Sequence, residues 1–311
     1  MAAPISFCAL PAPAFEHFTY PRYRPALRGD ANNLLQNLAR HGVVAGLRLD
    51  GRPVAAALVG SPSPDGQSRT LLSVTVALAH RRQGLGRELV QAVMGWARQQ
   101  PGLCSLRARH SDRMKNPGAY LALMRSCGWS EPSLVEQRLS GRVDWTHQVE
   151  AAWAPWLQRI DRQGYQATLY ADRSAQDEAR IADLQASGLV ESNLWLTPAR
   201  LRAEPALTLL LRRKTEVVGW IVGERALDFE GIHYTVGYVV PELRRTAWLL
   251  RGLYDACRLQ EVLEGPASVA LFETPSDNEG MQRLMEQRLG PLQPLWIDRR
   301  YQTEWQVPLI V

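Results

Sequence analysis

Strand-like alternation and helix-like stripes take turns along this chain, and their order predicts an α/β architecture. The stretch VVAGLRLDGRPVAAALVG, Val43 to Gly60, holds two apolar runs around Asp50-Gly51, a tight-turn dipeptide, and so predicts a hairpin of two strands. Leu72, Val74, Val76 and Leu78 alternate with Ser73, Thr75 and Ala77, which predicts a strand with one face more apolar than the other. Beyond Gly86 the period changes, and Leu89, Val93, Trp96 and Ala97 fall on one helical stripe. A short strand is expected from Cys104 to His110, a helix from Pro117 to Cys127 closed by Gly128, and a strand from Leu134 to Leu139. From Trp145 onward, Trp153, Leu157 and Ile160 share a face while the polar face carries both charge signs. That pattern fits a linker helix packed between domains better than a helix lying on a membrane.

The pattern then repeats. ALTLLLRRKTEVVGWIVG, Ala206 to Gly223, has the layout of the first hairpin, with Val54 and Gly60 recurring as Val217 and Gly223, an offset of 163 residues (217 − 54). VALAHRRQGLG from Val76 lies over VVPELRRTAWL from Val239 at the same offset of 163 (239 − 76). NPGAYLALMRSCG from Asn116 lies over NEGMQRLMEQRLG from Asn278 at 162 (278 − 116). Three blocks in one order at a nearly constant spacing describe a tandem duplication of an α/β domain, each copy a mixed, mostly antiparallel sheet flanked by helices. The expected division is residues 1–143, a linker helix at 144–163, and a second copy at 164–311. A length of 311 residues suits two domains of about 150 residues.

Composition narrows the partners. The chain is 46% hydrophobic and 22% charged, ordinary for a globular protein, and no run approaches the roughly 18 apolar residues of a membrane span. Its start, MAAPISFCALPAPAF, lacks a basic region before the apolar residues, so a cytoplasmic location and no membrane partner are expected. The net charge of +5 would suit nucleic acid if it were clustered, but it is spread thinly, and nucleic acid is not expected as a partner. Cys8, Cys104, Cys127 and Cys257 form no metal-spaced pair, so no metal is expected.

One stretch carries candidate chemistry: HRRQGLGRELV, His80 to Val90, where a strand passes through a glycine turn into a helix. The first N–H groups of a helix have no internal partners and offer an anion site, and Gly84 and Gly86 let a phosphate approach the backbone. It is not a dinucleotide fingerprint, since Leu89 stands where the third glycine would be, and it lacks the Gly-Lys-Ser/Thr of a Walker loop. A plain strand-to-helix bend fits the turn taken alone.

The wider arrangement is more specific. Val76-x-Leu78-x-x-Arg81-x-x-Gly84-x-Gly86, then a helix, a short strand, Asn116 and a helix ending Leu123-Met124-x-x-x-Gly128-Trp129, resembles the GNAT superfamily of acyl-CoA-dependent N-acyltransferases. Arg81-Arg82-Gln83-Gly84-Leu85-Gly86 meets every fixed position of that family's (Q/R)-x-x-G-x-(G/A) signature. The resemblance implies that the backbone from Arg82 to Arg87 holds the pyrophosphate of acetyl-CoA or another acyl-CoA. It also implies that Val76 and Leu78 bind the pantetheine arm, with Arg81 and Arg87 adding charge. Asn116 stands near the family's pantetheine-side asparagine, one residue out of spacing, and a loop-capping role fits it equally well.

The family's acid for the leaving sulfur is a tyrosine; Met124 stands there, and it cannot donate a proton. Tyr120, one helical turn earlier, is the candidate acid and His110 the candidate base, against the simpler alternatives of a packed tyrosine and a polar strand-edge histidine. In the second copy Ala247 and Leu249 replace Gly84 and Gly86, so only the first copy is expected to hold the cofactor. Trp220, Trp248, Trp296 and Trp305 would line an acceptor pocket or pack in a core. The expectation is an N-acetyltransferase acting on a primary amine of a small molecule or protein, as a monomer or homodimer. A non-catalytic CoA-binding module and an RNA-directed acyltransferase are the alternatives.

Overall fold

The computed structural model describes residues 5–30, 35–198, 205–225 and 230–308. It divides into two compact units, residues 1–135 with 299–311, and residues 136–298. The expected boundaries at 143 and 163 differ from this division. The helix expected as a linker packs within the second unit, and the last strand of each copy goes to the other copy's unit.

In the first unit, β1 (Ile5–Ala9), β2 (Val43–Leu49), β3 (Arg52–Pro62) and β4 (Ser68–Val76) form an antiparallel series. Both turn residues between β2 and β3 are left-handed, Asp50 at φ 48° and Gly51 at φ 77°, as the dipeptide predicts. Helices α1 (Arg24–Arg28) and α2 (Gln36–His41) lie between β1 and β2 in the chain. Next comes α3 (Leu85–Arg98), which buries Leu89, Val93 and Ala97 of the expected stripe. Burying a leucine or valine side chain contributes about 1.5–3 kcal/mol. β5 (Ser105–Ser111) then runs parallel to β4, and α4 (Pro117–Ser126) ends at Gly128 with φ 80°.

β6 (Ser133–Arg142) pairs antiparallel not with β5 but with a strand of the second unit, β11 (Val269–Pro275). That unit also contains α5 (Trp145–Asp161), β7 (Tyr165–Leu169), α6 (Ala175–Ala186), β8 (Leu209–Arg213), β9 (Glu216–Arg225), β10 (Ile232–Val239), α7 (Trp248–Glu264) and α8 (Glu279–Leu284). Its sheet runs β6-β11-β10-β9-β8-β7 and is antiparallel except for β10 with β11. The final strand, β12 (Trp296–Gln306), pairs through Arg300–Gln306 with β5. The first unit's order is therefore β1-β2-β3-β4-β5-β12.

The strand exchange moves aromatic residues. Trp305 is buried in the first unit beside Leu106, Met124 and Trp129, while Trp220 and Trp248 are fully buried in the second unit. These three are core residues and line no acceptor pocket.

The duplication reaches down to single irregularities. β4 pairs with β5 from Ser68↔Ser105 only to Leu71↔Ala108. Immediately beyond, Leu72 is an extra residue against β3, because Leu58 faces Ser73 and Val59 faces Leu71. Such a bulge bends the strand and ends pairing, so β4 and β5 part there. In the second unit β10 and β11 pair only to Tyr234↔Phe272, and Thr235 is the extra residue against β9.

Candidate active site

Where β4 leaves β5, one edge of β4 lies open. The N–H of Ala77 bonds the carbonyl of Val54 at 2.8 Å. By the alternation of an antiparallel ladder, the N–H and C=O groups of Val74 and Val76 therefore point to the opposite, unpaired edge. Arg81 closes the end of that edge, its Nε donating to the Val76 carbonyl at 3.0 Å. The guanidinium thus shapes the turn as well as adding charge to it.

The strand expected to reach Leu78 stops at Val76. Leu78–His80 form a single 3-10 turn, and Leu78 is 79% exposed with its carbonyl accepting from the Arg81 N–H at 3.3 Å. Leu78 therefore offers no strand edge to a ligand.

From Arg82 onward the backbone prepares an anion site. Arg82 and Gly84 are left-handed, at φ 61° and 85°, and α3 starts at Leu85. The N–H groups of Arg82, Gln83, Gly84, Leu85 and Gly86 make no backbone hydrogen bond among the described residues. The N–H of Arg87 does, to the Gly84 carbonyl at 2.9 Å, so the cradle ends one residue earlier than expected. Arg82, Gln83, Gly84 and Arg87 are exposed, and neither Arg82 nor Arg87 pairs with a carboxylate among the described residues. A Cβ on Gly86 would lie 3.5 Å from the Leu123 side chain of α4 and 3.8 Å from that of Val76, so this glycine sits between α4 and the Val76 side chain of β4.

The second unit has the same frame with the space filled. Ala247, in the place of Gly84, has φ −82° and ψ 18°, and Thr246 donates its N–H to the Leu243 carbonyl at 3.0 Å. Leu249, in the place of Gly86, lies against β10: a Cβ on Gly237 would be 3.0 Å from its Cδ1. Gly237 corresponds to Val74, so the bulk that the first unit leaves off the helix has been moved onto it in the second.

Asn116 caps α4, its Oδ1 accepting from the Ala119 N–H at 3.2 Å, with Pro117 as the first helical residue. Asn278 makes the same bond to Met281 at 3.2 Å in the unit whose turn has lost its glycines. The capping role accounts for both. Met124 is buried in the core and faces no cleft.

Tyr120 and His110 are brought together, with ring centroids 5.4 Å apart. His110 is only 8% exposed and its Nδ1 has no hydrogen-bond partner among the described residues. Burial pushes its pKa below the usual 6.5, and Asp112 opposes this. Burial pushes the Tyr120 phenol well above the usual 10, and the neighbouring Tyr20 phenol adds to the rise. The imidazole is thus held neutral and the phenol protonated at neutral pH. Tyr301 of β12 also lies against His110, its ring centroid 5.4 Å away and 22° from parallel. Sequence reading did not find Tyr301. The alternation of Tyr301, Thr303 and Trp305 marks one face of a strand but does not say which sheet the strand joins.

No group of residues suited to a metal ion occurs among the described residues, and none of their helices is long and apolar enough to cross a membrane. A bulged, splayed strand leading through a left-handed turn into a helix with unpaired N–H groups is the frame of the first unit of this α/β protein. Residues 7–129 match the model of the acetyltransferase (GNAT) family.

The tandem arrangement has solved counterparts. A tandem GNAT protein from the clavulanic acid biosynthesis pathway is similar in fold at a TM-score of 0.62 and 14% identity, covering 99% of this chain and 100% of that one. A GCN5-related N-acetyltransferase from Sphaerobacter thermophilus is similar at a TM-score of 0.62 and 17% identity, covering 100% and 98%. No curated protein sequence matches the chain.

Proposed function

We propose that the first unit transfers an acyl group, acetyl in the simplest case, from acyl-CoA to a primary amine of a small molecule or protein, and that the second unit binds no coenzyme A. The observation that carries this reading is the run of five unpaired N–H groups, Arg82 to Gly86, at the foot of an open strand edge. Those donors, with the helix dipole behind them, suit a pyrophosphate. The exposed Arg82 and Arg87 suit its remaining charge. The open N–H and C=O groups of Val74 and the N–H of Val76 suit the amide arm of pantetheine.

The chemistry follows from the charge states. A primary amine, with a pKa near 10.4, must lose a proton before it attacks the thioester carbon. The neutral His110 is the base for that proton. An N–H on the open edge of β4 polarises the carbonyl oxygen as the C–N bond forms. As the C–S bond breaks, the sulfur takes a proton from the Tyr120 phenol, the nitrogen's second proton restores that phenol, and His110 passes the first proton to water, leaving an amide and the free thiol.

The test is thiol release from acetyl-CoA measured against a panel of primary amines. Release that depends on the amine supports the reading. Tight binding of acetyl-CoA with no amine-dependent release would make the protein a CoA-binding module instead.

A further inference from the structure

We propose that Tyr301, from the last strand of the chain, is a positioning residue for His110: its ring stacks on the imidazole and holds in place a base whose buried Nδ1 has no hydrogen-bond partner among the described residues. A catalytic imidazole is ordinarily fixed by a bond from its second nitrogen to a carboxylate or carbonyl. Here Nδ1 is buried and has no partner among the described residues. What contacts the ring instead is two aromatic faces, Tyr301 at 22° between planes and Tyr120 at 42°, each at a centroid distance of 5.4 Å.

The pairing has a backbone cause. Tyr301 is the direct cross-strand partner of His110 in the antiparallel β5–β12 ladder, so the two side chains stand side by side on one sheet face. The strand that supplies it belongs to the second copy in chain order. The degenerate copy therefore contributes to the site through its terminal strand, which supplies a wall to the first unit's proton-transfer pair.

The groups facing His110 are few. Asp112 acts on it from its own strand, Tyr120 from α4 and Tyr301 from β12, with Tyr20 acting on Tyr120. Asp112 is the carboxylate among them, and it favours the charged imidazole. The aromatic walls oppose it by excluding water, so removing one wall shifts the balance toward the charged form.

This role rests on the proposed acyl transfer, yet it is read without turnover. The experiment follows the imidazole signal of His110 by NMR against pH in the full chain labelled at histidine, with His110→Gln for assignment. In the wild type, His110 titrates below 6.5. Tyr301→Phe keeps the stacked face and leaves the titration where it was. Tyr301→Leu, which is smaller and has no ring to cover the imidazole, admits water and moves it up toward 6.5, and Tyr301→Ala moves it further. Acetyl-CoA affinity measured on the same samples stays unchanged. An unmoved titration in Tyr301→Leu, or an equal shift in Tyr301→Phe, overturns the proposal. A protein that shows the shift but transfers no acyl group would instead contradict the proposed function alone.

Discussion

Replacing Gly84 by alanine isolates the contribution of turn conformation to anion binding. Gly84 has φ 85° and no atom within 4 Å of where a Cβ would stand, so the substitution makes no clash and acts through the backbone. A residue with a Cβ pays about 1–2 kcal/mol to remain left-handed. The second unit shows the escape from that cost, because Ala247 at the equivalent place sits at φ −82° and ψ 18°. The free variant therefore relaxes, and binding has to drive the turn back. The full 1–2 kcal/mol then appears in the affinity, a loss of about 5–30-fold for acetyl-CoA by isothermal titration. Gly51→Ala is the control: the same left-handed geometry, φ 77°, also in open space, but in a hairpin away from the turn. It should lower the melting temperature by about 2–4 °C, the shift of a 1 kcal/mol loss in a domain of this size, with no change in affinity. Wild-type affinity in Gly84→Ala, or an equal loss in Gly51→Ala, would rule out turn conformation as the source of the effect.

Three further outcomes follow from the same geometry. Asn116→Ala and Asn278→Ala should each cost about 1 kcal/mol in a denaturant melt. Asn116→Ser, which can still cap, should restore both stability and acetyl-CoA affinity; an affinity loss that Ser does not restore would show a ligand contact. Tyr120→Phe should lower kcat by about 10²–10⁴-fold while leaving acetyl-CoA affinity unchanged in steady-state and calorimetric measurements. In the second unit, the Arg212 guanidinium grips Asp177 at 2.6 and 2.8 Å, and Ser174 bonds the same carboxylate, holding its pKa well below the usual range. The stability from a depressed carboxyl is present above the unfolded value near 3.9 and is lost as pH falls below it. Asp177→Asn should therefore cost roughly 3–5 kcal/mol at neutral pH and flatten the loss of stability between pH 4 and the acid limit, read from urea melts at several pH values.

The local features of this fold were legible because local chemistry determines them. Asp50-Gly51 specified its turn, the stripe Leu89, Val93 and Ala97 specified its buried face, and Gly128 stands in the left-handed position past α4. The duplication was legible from spacing, and the structure extends it to the bulges at Leu72 and Thr235. Strand partnership was not legible, because β6 and β12 have the same alternation whichever sheet they join. The exchange of those strands moved Trp305 to the first unit and hid Tyr301 from sequence reading. The end of β4 was misplaced for a related reason: Leu78 continues the alternation, but the Arg81 side chain has already capped the Val76 carbonyl. Asn116 stood open between two roles, and only its bond to Ala119, repeated by Asn278, separates them.

On the proposed function, one copy keeps a working phosphate cradle and the other has filled it. Calorimetric titration of acetyl-CoA into the wild type and Gly86→Trp decides this, since a side chain on Gly86 points at the Leu123 and Val76 side chains and a tryptophan there displaces the start of α3. One site per chain is expected in the wild type and none in the variant. Two sites per chain, or binding that survives in Gly86→Trp, would contradict the division of labour between the copies.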